Sequence, residues 1–401
     1  MADLADYEWL TGAEAARWLE ELGPASDPIH RQLNRLRKLL TAERARLVVS
    51  QVTFRQRAVM KFGNLAANMY FTDILLQQAT DLWTARYKAS RVPLDMPVAD
   101  YCCGIGGDLL AFAERGLTTG WDRVPESAHL ANANLRAIEA QAASRALVGN
   151  VETQTPASEH IWHLDPDRRT DGRRSTQIQW HSPGPELVDR WRTSSPNGIL
   201  KLAPAAVVPE AWADVAELEW ISRDRQCRQL VVWFGELARA SGQRRATILQ
   251  KSAAENGPLE PVSFIGSRDS AAPIVATLSR YVYDADPAIR AAGLTGAVAL
   301  KYDLSVLNNG QSYLTSDKAV EHPLLARFEL LDQLPLRTKT LSKHFRSRGI
   351  GQLEIKSRGV ETDPERLRKQ LKLRGSESAT LLLTRIGTSK IALLAQRCEK
   401  S

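Results

Sequence analysis

The stretch of this sequence best suited to bind a small polar ligand is DYCCGIGGD, from Asp100 to Asp108. Glycines at positions 104, 106 and 107 let the backbone turn tightly and approach a ligand, because no Cβ stands in the way. The apolar run before the loop predicts a strand, and the run after it predicts a helix. The free N–H groups at a helix start bind polar or anionic groups. The loop therefore predicts a ligand site at a strand-to-helix turn.

An acidic residue at the end of the next predicted strand narrows the choice of ligand. Asp122 can accept hydrogen bonds from both hydroxyls of a ribose. A dinucleotide-binding loop reads G-x-G-x-x-G, but Leu109 stands at the position of its third glycine. Asp100 would repel a pyrophosphate and suits the ammonium group of S-adenosylmethionine (SAM). We favour SAM over an NAD-type cofactor, and a fold that binds neither is the third alternative.

The predicted cofactor-binding residues share a position in or beside this loop, and we expect no metal. They are Asp100, Cys102, Gly104, Gly106, Gly107, Asp108 and Asp122, with Gln78 and Thr80 from a preceding helix and Asn150 after the third strand. Cys102 and Cys103 could offer a thiol nucleophile, but no second candidate such as Pro-Cys follows the fourth strand. We interpret both cysteines as walls of the pocket.

A second reactive stretch, LDPDRR at residues 164–169, follows the fourth predicted strand. Amine-directed methyltransferases often carry (Asp/Asn)-Pro-Pro-aromatic there, and Asp165 and Pro166 match its first half. Asp165 could orient a nucleophile or take its proton, so we predict Asp165 and Pro166 as catalytic residues. Four arginines could bind phosphates or carboxylates, and the alternative is that they pair with local acids. These predicted substrate-binding residues are Arg168, Arg169, Arg173 and Arg174.

The arrangement of apolar segments predicts three regions. Residues 1–92 read as helices, and residues 93–285 alternate strand and helix, which predicts a parallel sheet covered on both faces. Residues 286–401 read as a separate α+β domain, with strands at 352–360, 379–386 and 390–397 and a basic helix at 364–373. The expected fold class is α/β.

Positive charge is concentrated at the C-terminal end of the chain. The net charge is +7, but residues 337–401 alone carry sixteen Lys and Arg against six Asp and Glu. Such a block favours a polyanionic partner, most often nucleic acid, with a merely solvated basic face as the alternative. The start of the chain lacks a signal-peptide pattern, no apolar run suggests a membrane span, and four cysteines make no disulfide framework. We expect a cytoplasmic protein without membrane contact or obligate protein partner.

Several stretches resemble a bacterial family of class I SAM-dependent methyltransferases with a THUMP-like C-terminal domain. These are KF, FT and QQAT within 61–80, ADYCCGIGGDLLAFA (99–113), LDPDRR, ILKLAP (199–204), YVYDADPAIRAAG (281–293) and EIKSRGVETDPERLRKQLKLRG (354–375). The glycine loop is also similar to that of trimethylguanosine synthase-type enzymes, which methylate a guanine amine. The chain departs from the amine-directed pattern, because Asp167 to Arg169 replace the second proline and the aromatic residue.

The resemblance implies a Rossmann-like class I methyltransferase sheet, an N-terminal helical region and a C-terminal α+β THUMP-like domain. True THUMP domains bind RNA, commonly the acceptor end of tRNA, so it also implies an RNA methyltransferase. The predicted RNA-binding residues are the cations of the last resembling stretch: Lys356, Arg358, Arg366, Arg368, Lys369, Lys372 and Arg374. The alternatives are a methyltransferase for a small acidic metabolite or a protein, and an RNA-binding protein whose SAM fold performs no turnover.

Overall fold

The fold is described from a computed structural model, which covers residues 2–22, 28–138, 140, 143–170, 173–250, 259–268, 270–307 and 313–398. Side chains 169, 170, 173 and 174 lie outside this description. The chain divides into two compact units. The first comprises Met1–Glu217 and Gln229–Gly242, and the second comprises Leu218–Arg228 and Gln243–Ser401. The domain boundaries predicted at residues 93 and 286 divide the chain more finely and stay predictions.

The first unit begins with helices, as the sequence predicts. Hydroxyl caps start two of them, because Thr41 accepts a hydrogen bond from the Arg44 amide and Thr72 accepts one from the Leu75 amide. Their buried faces form an apolar cluster that includes Leu10, Leu36 and Val48. The helices are α1 Leu4–Leu10, α2 Ala13–Leu22, α3 Ile29–Leu36, α4 Ala42–Phe62, α5 Asp73–Gln78 and α6 Leu82–Arg91.

A mainly parallel sheet with crossover helices follows in the same unit. Its strands are β1 Val98–Tyr101, β2 Thr118–Asp122, β3 Arg145–Val148, β4 Ile161–Leu164, β7 Gly198–Leu202 and β9 Gln226–Phe234. A separate two-stranded ribbon pairs β5 Arg169–Thr170 with β6 Arg173–Arg174. The helices are α7 Leu109–Ala113, α8 Pro125–Ala137, α9 Pro185–Ser194 and α10 Glu210–Ala213. Within this unit the strand order is β9-β7-β4-β1-β2-β3, with only β9 antiparallel to its neighbour β7 among these pairs of described strands.

The strand order reverses between β1 and β4. The chain adds β2 and β3 on one side of β1 and then crosses to place β4 on the other side. Ligands of open α/β sheets bind at the carboxyl ends of the strands at such a switch point. The register places Asp100 beside His163 and Tyr101 beside Leu164. The residues that follow these strands, the glycine loop and Asp165, therefore share one edge of the sheet.

The second unit contains two sets of strands. In the first, β8 Glu217–Arg223 is parallel to β10 Arg244–Gln250, which is antiparallel to β11 Glu260–Gly266. The other is a seven-stranded sheet in the order β13-β14-β12-β15-β18-β17-β16. Its strands are β12 Tyr281–Ala285, β13 Ser305–Val306, β14 Leu314–Ser316, β15 Leu325–Pro335, β16 Ile350–Ser357, β17 Glu377–Ile386 and β18 Ser389–Arg397.

Short helices accompany this second sheet: α11 Pro287–Ala291, α12 Thr295–Tyr302, α13 Thr338–Ser347 and α14 Pro364–Leu371. Leu341 and Phe345 of α13 and Leu367 and Leu371 of α14 belong to one apolar cluster with residues of β16, β17 and β18. Because each helix buries one stripe, its remaining face is left to solvent. The basic residues of both helices lie on those outer faces.

Candidate active site

The glycine loop between β1 and α7 has an unusual backbone. Cys102, Gly104 and Gly106 all adopt positive φ angles of 60°, 56° and 92°. Glycine adopts such angles readily, whereas a residue with a Cβ is strained there. Gly107 is required for a different reason, since an added Cβ would lie 2.9 Å from the Thr80 backbone nitrogen. The loop is therefore tightly turned and packs directly against the chain around Thr80.

Asp122 at the end of β2 ties this loop to the neighbouring strand. Its Oδ2 accepts a hydrogen bond of 2.9 Å from the Gly104 amide, and its Oδ1 accepts one of 2.9 Å from the Val124 amide. Burial raises the pKa of this half-buried carboxyl, although the two amides oppose the shift. The exposed Asn150 lies at the end of β3, where its side chain caps a short helical turn by accepting from the Glu152 amide. Both predicted residues thus lie at the carboxyl edge of the sheet.

The segment before β1 reaches the loop through Thr80. The Thr80 hydroxyl donates a 2.6 Å hydrogen bond to Asp108 Oδ2. Lys61 fixes this segment, because its Nζ donates to the carbonyl oxygens of Leu76, Gln77 and Ala79 at 2.8 to 2.9 Å. These contacts give a physical reason for the KF and QQAT stretches. Gln78, the last residue of α5, has an exposed side chain and is not brought to the loop by any described polar contact.

Beneath the loop lies a series of charged side chains, mostly buried, of which Lys88, His163 and Lys201 were not predicted from the sequence. His163 Nδ1 donates to Asp100 Oδ1 at 2.6 Å, so its Nε2 faces the fully buried Lys88 ammonium at 3.3 Å. Lys88 Nζ lies 2.6 Å from Asp108 Oδ1, and Lys201 Nζ lies 3.8 Å from Asp108 Oδ2. Lys201 also contacts Asp165. We call the whole series the buried charge chain: Asp100, His163, Lys88, Asp108, Lys201 and Asp165.

Burial and ion pairing act in opposite directions on these groups. Burial raises the pKa of Asp100 more than His163 lowers it. Burial also opposes ionisation of Asp108, but Lys88, His163 and Lys201 outweigh it and hold the pKa of Asp108 well below its usual range. Burial lowers the pKa of Lys88 despite the attraction of Asp108. Asp108 is therefore the carboxylate that this cluster keeps ionised.

Asp165, the predicted catalytic residue, is held at the open end of this chain. Its amide donates to the Tyr101 carbonyl oxygen at 3.2 Å, and its Oδ2 lies 2.5 Å from Lys201 Nζ. Burial opposes the charge of Lys201, but Asp165 and Asp108 raise its pKa, so Lys201 is an ammonium at neutral pH. The Asp165 side chain is 32% exposed, whereas Pro166 is buried. One oxygen of Asp165 is thus fixed by a cation while the group stays accessible.

The predicted arginines lie within the nine residues that follow Asp165. The Arg168 carbonyl oxygen accepts from the Ser175 amide at 2.9 Å, and the half-buried Arg168 forms no ion pair with the described residues. Its charge disfavours protonation of the nearby Lys201 and His181. The backbones of Arg169, Arg173 and Arg174 form the β5–β6 ribbon, while their side chains lie outside the described residues. Arg168 is therefore the predicted arginine that the described contacts place beside Asp165.

The two adjacent cysteines are neutral thiols in this site. Burial raises the pKa of both Cys102 and Cys103, and the nearby carboxylates of Asp100 and Asp122 add to the effect. A thiol is a poor nucleophile compared with its thiolate. This environment suits the predicted role of Cys102 as a wall of the pocket.

The residues around the loop fit SAM. Asp100 Oδ2 is buried and has no hydrogen-bond partner among the described residues, so an acceptor is left over beneath the loop. Buried acceptors normally have a partner.

Within the described residues, no group of three or more His, Cys, Asp or Glu side chains could hold a metal ion. Of the helices described, none is both long enough and apolar enough to cross a membrane.

Comparison with known proteins identifies the family. Two relatives from strains of Mycobacterium tuberculosis, each named "Uncharacterized S-adenosylmethionine-dependent methyltransferase", are 32% identical to this chain over 360 residues. The match covers 87% of this chain and 95% of each relative. The chain belongs to this family of SAM-dependent methyltransferases. The predicted enzyme class and the resemblance to SAM-dependent methyltransferases are thereby confirmed.

Two further comparisons concern the fold of the methyltransferase. A family model described as "THUMP domain-like" matches residues 325–397. A crystal structure from Porphyromonas gingivalis W83, whose protein carries a provisional methyltransferase name, aligns with a TM-score of 0.76 at 20% identity. The alignment covers 99% of this chain and 98% of that one. The predicted Rossmann-like α/β fold with a THUMP-like domain is confirmed.

Replacing Gly107 by alanine is expected to weaken SAM binding by the methyltransferase and to lower its free energy of unfolding by roughly 1–3 kcal/mol, the usual cost of overpacking. The reason is that the new Cβ would meet the Thr80 backbone at 2.9 Å and 3.1 Å. Calorimetric titration with SAM and urea unfolding measure the two effects. Gly116→Ala is the matched control, since its Cβ would meet no atom closer than 3.4 Å. Wild-type SAM affinity in Gly107→Ala would contradict this account of the loop.

Proposed function

We propose that this methyltransferase modifies RNA at a base nitrogen, in tRNA or another structured RNA, and docks it with its THUMP-like domain. The observation that carries the proposal is a group of exposed, unpaired cations within the matched region. Lys339, Lys343 and Arg346 of α13 and Lys372 after α14 are exposed and form no ion pair with described residues. On a basic surface that is merely solvated, acidic residues usually lie among the cations. This group of cations contains no acidic residue.

These cations line a cleft of about 550 Å³. Lys339, Lys343 and Arg346 are spaced i, i+4 and i+7, which places them on one face of α13. The side chains of Leu341 and Phe345 anchor the other face in the core. We call this surface the basic cleft, and its described lining contains no acidic residue: Thr338, Lys339, Ser342, Lys343, Arg346, Ser347, Gln370 and Lys372. Phosphate groups are the natural ligand of cations and hydroxyls arranged in this way.

Two of the predicted RNA-binding residues are already engaged within their own unit. Arg358 binds the buried Asp284 through Nε and Nη2, both at 3.2 Å, and Lys356 Nζ lies 3.7 Å from the same carboxylate. Arg225 also donates to Asp284, at 3.3 Å. We therefore propose that Lys356 and Arg358 hold the fold of this unit rather than contact phosphates.

The other predicted RNA-binding residues are on or beside α14. Arg368 pairs with Glu365 at 2.8 Å and donates to the Leu353 carbonyl oxygen. Arg366, Lys369, Lys372 and Arg374 are exposed and form no ion pair with described residues. Together with the other cations of the basic cleft, they provide several candidate phosphate contacts on the outer faces of α13 and α14.

The geometry around Asp165 supports a mechanism in which the enzyme positions the acceptor nitrogen for methyl transfer. When bound, SAM supplies an electrophilic methyl group on its sulfonium. Asp165 accepts a hydrogen bond from the N–H of the acceptor nitrogen and so directs the nitrogen lone pair away from the carboxylate. Lys201 restrains one of its oxygens, because its ammonium lies 2.5 Å from Asp165 Oδ2. Because Asp165 is partly exposed, the proton released by the methylated nitrogen can pass through its carboxylate to water. Fixed charges of this kind need no rearrangement during the reaction.

A second candidate function is supported by Arg168. Its guanidinium forms no ion pair with described residues and lies close enough to influence Lys201. Two adjacent cations beside the catalytic carboxylate would suit a small acidic metabolite or an acidic protein side chain. In that case the basic cleft would be a solvated surface.

Labelled methyl groups from SAM are expected to enter RNA from cells that lack this enzyme, and not DNA or protein. Asp165→Ala should abolish most of this transfer. Label in protein or in a small acid instead of RNA would contradict the proposal and favour the second candidate. Digestion of the labelled RNA then identifies the modified nucleoside.

The same RNA tests the basic cleft by its salt dependence. Removing two phosphate contacts with Lys339→Ala and Lys343→Ala should reduce the slope of log affinity against log salt by about 2, since each contact contributes about one. Lys390→Ala is the matched control, because Lys390 is exposed in β18 and does not line the cleft. An unchanged slope in the double variant would show that RNA does not dock there.

A further inference from the structure

Two of the stretches that carry the family resemblance come together within the second unit. Asp284 of YVYDADPAIRAAG is 1% exposed and accepts hydrogen bonds of 3.2 Å from Nε and Nη2 of Arg358, which lies in the stretch that begins EIKSRG. Lys356 Nζ of the same stretch lies 3.7 Å from this carboxylate. Arg225 reaches it from the turn between β8 and β9, where its Nη2 lies 3.3 Å from Asp284 Oδ2. Three cations therefore share one buried carboxylate.

A fourth cation, Arg290, joins this group without a carboxylate of its own. Its Nε donates to the carbonyl oxygen of Ala285, the residue after Asp284, at 3.3 Å. The side chain is half-buried, and its Nη groups form no hydrogen bond or ion pair with described residues. Burial lowers the pKa of Arg290, and the charges of Arg358 and Arg225 add to the effect, although nearby carboxylates oppose it. Removing a guanidinium from water is costly unless an anion accompanies it.

The carboxylates of this region do not neutralise its cations. Asp286, the second buried carboxylate, has its Oδ2 3.7 Å from Arg225 Nη1. Glu354 lies 3.2 Å from Lys356, but it also pairs with Arg397 at 2.8 Å. Four cations thus surround two buried carboxylates, which leaves an excess of two positive charges among the described residues. We call these four residues the cation cluster: Arg225, Arg290, Lys356 and Arg358.

The hydroxyl of Tyr313 lies among the same charges and lacks a partner. Tyr313 is fully buried, and its hydroxyl has no hydrogen-bond partner among the described residues. The Arg358 guanidinium lies over its ring, 5.9 Å from the centroid. Burial raises the pKa of Tyr313, as does the carboxylate of Asp284, while Arg358 and Arg290 act in the opposite direction. The hydroxyl therefore keeps its proton at neutral pH and is a donor for which an acceptor is missing.

We propose that the cation cluster binds a phosphate group through Arg290, Arg225 and the Tyr313 hydroxyl. Phosphate supplies both missing interactions, because its charge balances the excess cations and its oxygens accept from guanidinium and hydroxyl groups. Lys356 and Arg358 stay on Asp284 and contribute their charge alone. Arg225 is 38% exposed and Arg290 is half-buried, so the cluster is open to solvent beside them, and rotation of these side chains admits the ligand to the hydroxyl.

The phosphate belongs either to RNA or to a small phosphorylated molecule, since both present the same oxygens. This site goes beyond the proposed function, because it requires no particular methyl acceptor. Its test measures binding and no methyl transfer, so its result is independent of whether the enzyme modifies RNA.

Calorimetric titration of the full-length protein with inorganic phosphate, at an ionic strength held constant with chloride, tests the site. The wild type is expected to bind phosphate. Arg290→Gln and Tyr313→Phe should each bind it roughly 10- to 150-fold more weakly, the range for losing a hydrogen bond to a charged group. Arg280→Gln is the matched control, because Arg280 precedes β12, is 62% exposed and pairs with Glu329. This control should bind phosphate as the wild type does.

Urea unfolding separates ligand binding by Tyr313 from a structural role. Without phosphate, Tyr313→Phe should be at least as stable as the wild type, because it removes a buried hydroxyl that has no partner. Phosphate should raise the stability of the wild type, and it should raise that of Tyr313→Phe less. A less stable Tyr313→Phe in the absence of phosphate would show that the hydroxyl serves the fold, and would overturn its role as a ligand.

Competition identifies the source of the phosphate. Displacement of inorganic phosphate from the wild type by a short single-stranded oligoribonucleotide would assign the site to RNA. Displacement by adenosine monophosphate but not by the oligoribonucleotide would assign it to a small phosphorylated molecule. A wild type that binds no phosphate, or equal phosphate affinity in the wild type and Arg290→Gln, would overturn the site.

Discussion

Asp165→Ala is expected to lower kcat for methyl transfer by roughly 10²- to 10⁴-fold, the range for removing a group that orients a nucleophile and accepts its proton. The reason is geometric. Asp165 is the accessible carboxylate at the carboxyl end of β4, and Lys201 fixes its Oδ2 at 2.5 Å. Affinity for SAM should change little, because the glycine loop and Asp122 keep their own hydrogen bonds. Single-turnover transfer of labelled methyl and calorimetric titration with SAM measure the two quantities separately.

Lys201 provides the companion experiment. Lys201→Met should also lower kcat, because Asp165 loses the cation that restrains its Oδ2. Lys201→Arg keeps the charge and should retain more activity. Single-turnover transfer of labelled methyl compares kcat of the two variants with that of the wild type. An Asp165→Ala enzyme with wild-type kcat would show that this carboxylate takes no part in the reaction.

Lys88→Met is expected to destabilise the protein by roughly 3–5 kcal/mol, the cost of removing one member of a buried ion pair. Lys88 is fully buried, and its ammonium is shared between Asp108 at 2.6 Å and His163 at 3.3 Å. Methionine fills the volume but leaves Asp108 with a weaker set of partners. Urea unfolding measures the free energy of unfolding of wild type and variant.

A matched control lies on the same helix, α6. Arg86 pairs with Glu114 at 2.6 Å, but its side chain is 49% exposed. Arg86→Met should therefore cost no more than about 1 kcal/mol, the usual value of a surface ion pair. Equal losses in the two variants would contradict the view that burial makes the Lys88 pair costly to break.

The pH dependence of stability offers a second test of the same pair. Because the folded protein lowers the pKa of Asp108, its ion pairs contribute stability above the unfolded value of about 3.9. That contribution is lost as the pH falls through the folded value. The wild type should therefore lose more stability than Lys88→Met between about pH 4 and pH 2. Equal acid sensitivity would show that His163 and Lys201, rather than Lys88, lower the pKa of Asp108.

Several features of this enzyme follow from local sequence alone. The strand-glycine-helix pattern at 98–113 is local, because glycine spacing and apolar runs decide it within a few residues. The same holds for Asp122 at the end of β2 and Asp165 at the end of β4. Alternating strands and helices then place these residues on one edge, since parallel strands joined by right-handed crossovers leave little choice.

Burial and pairing between distant segments were decided by the tertiary structure. Lys88, His163 and Lys201 look like ordinary polar residues of a helix and two strands. Their only sequence signal is proximity to other stretches, since His163 directly precedes LDPDRR, Lys201 lies within ILKLAP and Lys88 follows QQAT by eight residues. Lys356 and Arg358 read as surface cations until β12 brings Asp284 against them. Sequence determines periodicity and local turns, whereas the electrostatic environment of a side chain depends on neighbours that only the folded chain brings together.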